Sequence, residues 1–500
     1  MLRIEHVRDV ETLRKVATLL DREVRTLSSW VEELREENAR LKGQDARSIQ
    51  RELEALKELL AQRERVIFSE KSEQRPRNTT QGAEVEPAPR RGHGPRVQPS
   101  LPILEMIHEL DEADQICPKC GGKLVEMVGQ TEDSKEISVV ERRFVILNHR
   151  RKKYRCVCNG CVDTAPGPYK LQSGSRYSTT FAVEVAVGKY LDHLPLERQA
   201  RIMRREGLNI DSQTLWDQLD VLAGVLQPTY EALSRHVLES DVVGADETLW
   251  RLMDKKGSKR WWVWSVSREN AVFYKTLASR SKEAARQVLN GYEGIVLADG
   301  YGAYEALSRA GPSFPLAHCW AHVRRKFIEA EPHAPEACRI ILDLIGRLYA
   351  VEGEIPTPLD PANRIEALAL RHQLRQERSR ELVRQIRDWA LAQRALPESS
   401  LGKAIAYLLS LWKGLTLFLE DPRIPLDNNA TERGLRGVVL GRKNHYGSRS
   451  ERGTEVAALF YSLIESAKLA GIEPKLYLLT ATRAALAHSD AVTLPHELQL

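Results

Sequence analysis

Heptad spacing of apolar residues dominates the start of the chain. Leucines recur every seven residues from Leu13 to Leu41, and a second apolar position carries alanine, valine and one asparagine, Asn38. Leucine at one seam position, with valine and a single asparagine at the other, favours a parallel two-stranded coiled coil. We therefore predict a leucine zipper in residues 1–66 that pairs two chains as a homodimer. The alternative is an amphipathic helix that packs on its own chain.

Residues 67–100 lack any hydrophobic period and are rich in proline, glycine and charged residues. Such a segment cannot bury a core, so we predict a flexible linker. The basic cluster RRGHGPR inside it is interpreted as a solvated tether, with a DNA contact as the alternative.

Residues 169–238 have the period of helices. The segments FAVEVAVGKYLDHL, PLERQARIMRREG and DSQTLWDQLDVLAGVL are separated by short turns, and Pro195 suits a helix start and Gly207 a helix end. Two short helices joined by a glycine-containing turn resemble a helix-turn-helix, whose arginines would face DNA phosphates. The arginines of the second segment are Arg198, Arg201, Arg204 and Arg205. The alternative is an ordinary helical bundle with a solvated basic face.

From residue 239 the period becomes that of strands. The runs DVVGADETLWRLM, RWWVWSVS and AVFYKTL are separated by short polar turns. Five segments follow in which helices and strands alternate. In order they are the helix SKEAARQVLNG, the buried strand GIVLADG, the helix YGAYEALSRAG, the strand FPLAHCW and the helix AHVRRKFIEAEP. This is the order of a ribonuclease H-like fold, so we predict a multidomain α/β protein. Its core would comprise residues 239–330 and 423–500, separated by an all-helical insertion in residues 331–422.

Three acidic residues stand where such a core would bring them together. Asp246 lies on the first strand, Asp299 ends the fourth, and Glu432 lies at the start of a predicted helix. A phosphodiester is opened most easily between two divalent cations about 3.5–4 Å apart, and carboxylate oxygens suit Mg²⁺ and Mn²⁺. The rival acidic residues are Glu247, Glu305 and Asp427.

Five of the seven cysteines lie between residues 117 and 161. Cys117 with Cys120, and Cys158 with Cys161, have the C-x-x-C spacing of zinc knuckles, and Cys156 is an alternative ligand. Four thiolates suit a tetrahedral structural Zn²⁺. We predict a zinc ribbon in residues 101–168.

Two stretches of the chain, HCWAHVRRKF and the one that follows Glu432, carry several basic residues. They are Arg324 and Arg325, then Arg433, Arg436, Arg442 and Lys443. They are candidates to bind the phosphates that flank a scissile bond, with a solvated basic face as the alternative. His318 and His322 have the i, i+4 spacing of metal ligands. A hydrogen bond from His318 near the active site is the preferred interpretation.

The net charge of +5 and the pI of about 8.7 permit a polyanionic partner without demanding one. No apolar run reaches the ~20 residues that span a bilayer, and the N-terminus lacks the apolar core of a signal peptide. We therefore expect a soluble, cytoplasmic protein with no membrane partner.

Six stretches resemble the transposases of the insertion-sequence-66 family. They are CPKCGGKL with YRCVCNGC, KYLDHLPLERQ, GADETLW, LADGYGAYE, HCWAHVRRKF and DNNATERGLRGVVLGRKNHYGS. The resemblance implies a bacterial DDE-type transposase with a ribonuclease H-like core, a zinc-binding segment and a helix-turn-helix. Double-stranded DNA, as element ends and target, would be its substrate at the nucleoid. Accessory proteins of the same element are an open class of partner. The C-x-C-x-x-C arrangement at residues 156–161 departs from the simpler second pair of some relatives.

In this hypothesis Asp246 bridges two Mg²⁺ or Mn²⁺ ions, Asp299 holds one of them and Glu432 the other. Two other functions compete: a non-catalytic DNA-binding regulator with a decayed core, and a ribonuclease H-like nuclease without strand transfer. The intact acidic trio argues against the regulator.

Overall fold

A computed structural model describes most of the chain from residue 144 onwards. The described residues are 144–155, 162–254, 257–309, 314–356, 363–488 and 491–498, with Lys119 and Gly121. The predicted zipper, the linker and the five cysteines of the predicted zinc ribbon lie outside them. All elements below belong to one unit of the chain.

A small antiparallel pair of strands comes first. Strand β1 (Lys153–Arg155) pairs with β2 (Val162–Thr164), with Tyr154 opposite Asp163. Residues 144–152, which lie in the sequence between the two C-x-x-C pairs, form no strand.

Three helices follow, as the sequence predicts. They are α1 (Thr179–Tyr190), α2 (Leu196–Arg205) and α3 (Ser212–Leu238). Pro195 precedes α2 directly, and Gly207 follows it with a φ of +88°. The Asp211 carboxylate accepts a hydrogen bond from the Thr214 backbone N–H at 2.7 Å and so caps α3. Helix α3 continues through Pro228, beyond the predicted segment, because its apolar face stays buried to Val237.

A five-stranded mixed sheet forms the centre of the fold. Its strands are β3 (Val242–Asp254), β4 (Gly257–Arg268), β5 (Ala271–Leu277), β6 (Ile295–Ala298) and β7 (Leu316–His318). The spatial order is β5-β4-β3-β6-β7, antiparallel from β5 to β3 and parallel from β3 to β7. The predicted strands are confirmed. Trp250 and Trp264 are buried in the core, as expected of alternating strand residues.

Short helices connect the later strands. They are α4 (Lys282–Leu289), α5 (Gly302–Ser308) and, after β7, α6 (Trp320–Ala330). Each follows the position predicted from its apolar period. None of the helices in the described residues is both long and apolar enough to cross a membrane.

Helices then occupy the predicted insertion. They are α7 (Pro335–Gly353), α8 (Arg364–Leu374), α9 (Arg380–Ala392), α10 (Ser400–Ser410) and α11 (Trp412–Leu415), with a π-helical link at Arg375–Ser379 and a 3-10 turn at Leu417–Leu419. The described residues between 331 and 422 contain no strand. The Trp320 indole N–H, at the start of α6, donates to the Leu415 carbonyl at 2.9 Å. This bond joins the helices of the insertion to α6.

Three helices complete the fold: α12 (Asn429–His445), α13 (Glu451–Leu469) and α14 (Pro474–Ala487), before a final 3-10 turn at Pro495–Glu497. Helix α13 packs on the edge strand β5. The hydroxyls of Ser462 and Ser466 accept hydrogen bonds from the backbone N–H groups of Tyr274 and Val272, at 2.8 and 3.0 Å. An exposed strand edge would invite pairing with another chain, and these serines satisfy it internally.

One buried ion pair holds the helical insertion together. The Arg375 guanidinium is fully buried and forms two hydrogen bonds to the Glu352 carboxylate, at 2.7 and 2.9 Å. It also donates to the carbonyls of Phe418 and Ile424, at 2.8 and 3.0 Å. Nearly every donor of this side chain therefore has a partner, as a buried charge requires.

We expect Arg375→Ala to destabilise the protein by about 3–5 kcal/mol. Glu352 would lose two hydrogen bonds and retain its contact with Arg371 at 3.3 Å, and several buried carbonyls would lose this donor. The matched control is Arg378→Ala. Arg378 pairs with Glu354 on the surface, so its loss is expected to remove less than about 1 kcal/mol. The measurement is the midpoint of unfolding in denaturant. Equal losses for the two variants would contradict this account.

Candidate active site

Strand β3 presents Asp246 to helix α12. Side chains alternate along a strand, so Gly244, Asp246 and Thr248 share one face. A methyl group built at Gly244 would overlap the Thr431 hydroxyl of α12, and the Arg442 guanidinium of α12 donates to the Thr248 hydroxyl at 3.2 Å. The shared face is therefore the one that α12 covers.

A buried polar network fixes the start of α12 on the sheet. The Ser267 hydroxyl donates to Thr431 Oγ1 at 2.7 Å, and the Thr431 hydroxyl donates to Asn428 Oδ1 at 2.5 Å. The Asn428 side-chain amide donates to the Ala245 carbonyl at 2.9 Å, and its backbone N–H donates to Cys319 Sγ at 3.2 Å. These bonds set the position of the residue after Thr431, which is Glu432.

Asp299 follows β6, the parallel neighbour of β3. Its Oδ1 accepts the backbone N–H of Tyr301 at 2.9 Å, and its carbonyl lies 3.3 Å from His318 Nδ1. The Gly300 backbone N–H donates to the Tyr407 hydroxyl of α10 at 3.3 Å. The turn that carries Asp299 is thus held by β7 and by the helical insertion. The preferred interpretation of His318 as a hydrogen-bonding residue is confirmed.

The charges of Asp299 and Glu432 act on the Asp246 carboxylate. Burial, the largest cause, and the charges of Glu247, Asp299 and Glu432 together raise the pKa of Asp246 from 3.8 to about 7. A backbone hydrogen bond from Glu247 at 2.8 Å partly opposes the rise. Asp299 and Glu432 therefore both lie within electrostatic range of Asp246. Their combined negative charge favours a cation between them.

Glu432 lies in the first turn of α12 and faces α6. Its Oε1 is 3.6 Å from His322 Nε2, and its Oε2 is 3.6 Å from a terminal nitrogen of Arg325. Both separations are longer than a hydrogen bond. Glu432 Oε1 and His322 Nδ1 are buried without a hydrogen-bond partner among the described residues.

Cys319 lies at the same junction of α6 and α12. Candidate ligand atoms of Cys319, His322 and Glu432 lie within 4.8 Å of one another. Burial raises the pKa of the Cys319 thiol to about 11. His318 does not belong to this group, so the i, i+4 histidine pair is not brought together as a set of ligands.

The rival Glu247 is engaged on the opposite face of β3. Its Oε1 accepts a hydrogen bond from Arg280 Nε at 2.7 Å, and its Oε2 accepts the Tyr304 hydroxyl at 2.9 Å. Arg280 also stacks on the Tyr301 ring, 3.7 Å from its centroid. Glu247 therefore serves a structural ion pair.

The other two rivals also have local partners. Glu305 pairs with Arg309 one turn along α5. The Asp427 carboxylate accepts hydrogen bonds from the Asn429 backbone and side chain, at 3.1 and 2.7 Å. Both contacts are typical of helix and turn residues.

The predicted DNA-contacting residues divide into two groups. The exposed ones are Arg198, Arg201, Arg204, Arg205, Arg433, Arg436 and Lys443, and Arg324 is half-buried. Arg325 and Arg442 instead contact groups of the protein, Glu432 and the carbonyl of Leu249 respectively.

Sequence reasoning missed the polar network and the grouping of Cys319 and His322 with Glu432. The signal for the network was the run of small polar residues in DNNAT, which starts a helix yet carries a buried asparagine and threonine. The signal for the grouping of Cys319 with His322 was their C-x-x-H spacing, which puts both side chains on one face of the first turn of α6.

Comparison with known proteins identifies the family. Residues 174–456, more than half of the chain, match the sequence profile described as "Transposase IS66 family". The chain belongs to this family. Residues 114–159 match the "zinc-finger binding domain of transposase IS66", a range that ends two residues before Cys161. Membership of the IS66 family supports a transposase role and DNA binding.

Three proteins of Sinorhizobium fredii (strain NBRC 101917 / NGR234) are similar over most of their length. "Uncharacterized protein y4jD" is 32% identical over 399 residues, 76% of this chain and 76% of that protein. "Uncharacterized protein y4hP" is 28% identical over 75% of this chain and 71% of its own length. "Uncharacterized protein y4qI" is 29% identical over 78% and 72%.

We expect Gly244→Ala to lower the free energy of unfolding by about 1–3 kcal/mol, because the added methyl group overlaps Asn428 and Thr431. The matched control is Gly224→Ala on α3, where the added group meets no atom within 4 Å. The control is expected to gain about 0.5–1 kcal/mol, since alanine favours a helix over glycine. Denaturant unfolding of both variants checks this. A stabilised Gly244→Ala variant would refute close contact between β3 and α12.

Asp246→Asn is expected to stabilise the metal-free protein at pH 8. Between pH 4 and 7 the unfolded chain loses the Asp246 proton while the folded chain keeps it, so stability falls as pH rises. The upper bound of this loss is about 4 kcal/mol, and asparagine avoids it.

Melting temperatures at pH 5 and pH 8 in a chelator measure the effect. The gain over wild type should be fully present at pH 8 and less than about half as large at pH 5, and added Mn²⁺ should stabilise wild type alone. A variant less stable than wild type at pH 8 would show that the ionised Asp246 carboxylate does not destabilise the folded protein.

Proposed function

We propose that this IS66-family protein cleaves DNA strands at the terminal inverted repeats of its insertion sequence and joins them to target DNA by two-metal phosphoryl transfer. The observation that supports the proposal is that the charges of Asp299 and Glu432 reach Asp246 and add to the burial that raises its pKa. Such a site has the charge and the oxygen donors that Mg²⁺ or Mn²⁺ requires.

The catalytic core is proposed to be ribonuclease H-like. The support is the sheet order β5-β4-β3-β6-β7, with three antiparallel strands followed by two parallel ones. The carboxylates come from two neighbouring strands and from a helix that returns after the helical insertion. The proposed core comprises residues 239–330 and 423–500, with the insertion at 331–422.

The three carboxylates would hold two divalent cations, with Asp246 shared between them. When bound, these cations would activate water or a DNA 3′-hydroxyl and stabilise the leaving oxygen. The protein's part is positioning. Backbone N–H groups of Glu247 and Tyr301 hold one oxygen of Asp246 and of Asp299, at 2.8 and 2.9 Å. Both carboxylates are therefore preorganised, which limits the reorganisation needed during the reaction.

DNA is proposed to contact the exposed basic residues of α2 and α12. Helices α2 and α3, in the region 169–238, would form the helix-turn-helix, with the arginines of α2 on phosphates. Arg433 and Arg436 would bind phosphates close to Glu432. These exposed side chains supply the cationic surface that a DNA backbone requires.

Two further parts of the proposal fall outside the described residues. A zinc ribbon at 101–168 would use Cys117, Cys120, Cys158 and Cys161, with Cys156 as the alternative, and the match at 114–159 supports zinc binding there. A zipper at 1–66, followed by the linker at 67–100, would pair two chains and so two DNA ends.

Purified protein with Mn²⁺ and the DNA that flanks its own gene tests the proposal. We expect 3′-end cleavage and strand joining, reduced at least about a hundredfold by Asp299→Asn and by Glu432→Gln. The control Glu305→Gln should keep wild-type activity, since the Glu305 carboxylate is paired with Arg309.

Each other outcome favours a different function. Specific binding of the ends without cleavage in any divalent metal would indicate a DNA-binding regulator. Cleavage without joined products would indicate a nuclease. Cleavage that survives both substitutions would place the active site elsewhere.

A further inference from the structure

We propose that Cys319, His322 and Glu432 form a separate binding site for zinc or another thiophilic divalent ion, and that this ion withdraws Glu432 from the acidic trio. The binding site stands on the geometry alone. Its inhibitory effect rests on the proposed function.

The donor set differs in kind from that of the trio. It offers one sulfur, one imidazole nitrogen and one carboxylate oxygen, whereas the trio offers oxygens only. Thiolate and imidazole ligands select Zn²⁺ and similar ions over Mg²⁺, and three protein ligands leave a fourth tetrahedral position open.

The distances fit an ion better than direct bonds between the side chains. The candidate ligand atoms lie within 4.8 Å of one another, and His322 Nε2 is 3.6 Å from Glu432 Oε1. Two ligands about 2.0–2.2 Å from a tetrahedral ion would lie roughly 3.3–3.5 Å apart. The pair is too far apart for a hydrogen bond and close to the separation that a shared ion would impose.

An orphaned oxygen points to the same conclusion. Glu432 Oε1 is buried without a hydrogen-bond partner among the described residues. A buried carboxylate oxygen in this state is costly, and an ion would satisfy it. Arg325 lies near the other oxygen, Oε2, at 3.6 Å.

The backbone around Cys319 supports a ligand role. The residue is buried at the end of β7, directly before α6, and His322 is three residues further along the same helix face. The Asn428 N–H donates to its Sγ at 3.2 Å. In metal sites, hydrogen bonds of this kind orient the side chains that bind the ion.

Sharing Glu432 makes the two sites compete. The carboxylate cannot serve the thiophilic ion through Oε1 and keep its full role beside Asp246 and Asp299. Zinc is therefore expected to inhibit Mg²⁺-dependent cleavage by occupying Cys319 and His322, independently of the zinc predicted in the ribbon.

The first test measures zinc content in the full-length protein after dialysis against a zinc buffer. Wild type should hold one equivalent more than Cys319→Ser and than His322→Gln. The matched control is Cys338→Ser, which removes the other cysteine that the described residues bury and should keep the wild-type content. Equal zinc content in wild type and His322→Gln would overturn the proposal, and His322→Gln decides the question if Cys319→Ser fails to fold.

The second test follows cleavage by each protein relative to its own zinc-free rate. Zinc sufficient to fill the site should reduce the wild-type rate at least about tenfold and leave the rate of His322→Gln unchanged. Equal inhibition of both would overturn the inhibitory role. A wild type without any cleavage would count against the proposed function, while the zinc contents would still decide the binding site.

Discussion

Helix α12 lies directly on strand β3, and this contact depends on the absence of a side chain at Gly244. Any larger residue there would overlap Asn428 and Thr431. Asn428 then joins α12 to the Ala245 carbonyl of β3 and to Cys319 after β7. The acidic trio depends on this contact, because Asp246 follows Gly244 by two residues and Glu432 follows Thr431 by one.

The resulting site places the buried Asp246 among other carboxylates. Glu247 has Arg280 as a partner, but Asp246 has burial and neighbouring carboxylates, so its pKa rises to about 7. Folding therefore places this carboxylate under electrostatic strain. Strain of this kind is expected where function requires a cation, and rigid neighbours must hold it in place.

Much of this arrangement follows from local sequence patterns. Strand alternation located β3 to β7, and Pro195 and Gly207 marked the bounds of α2. The same patterns put Asp246 and Asp299 on neighbouring strands. Helix α3 shows where local rules fail: the predicted segment ended before Pro228, yet burial of its apolar face carries the helix to Leu238.

Contacts between distant residues were beyond these patterns. The hydrogen bond from Ser267 to Thr431 and the approach of Cys319 to Asn428 join segments more than 100 residues apart. No periodicity records such a pairing, because it depends on how the helical insertion returns the chain to the sheet. The same return places Glu432 beside Cys319 and His322 and within electrostatic range of Asp246.

Iron-directed cleavage of the polypeptide tests the central claim most directly. Fe²⁺ would replace Mg²⁺ in the protein, ascorbate and peroxide would generate radicals at the bound ion, and mass spectrometry would locate the backbone cuts. We expect cuts close to residues 246, 299 and 432 together, all lost in Asp299→Asn. Cuts near only one of these residues, or cuts that persist in the variant, would contradict a shared metal site.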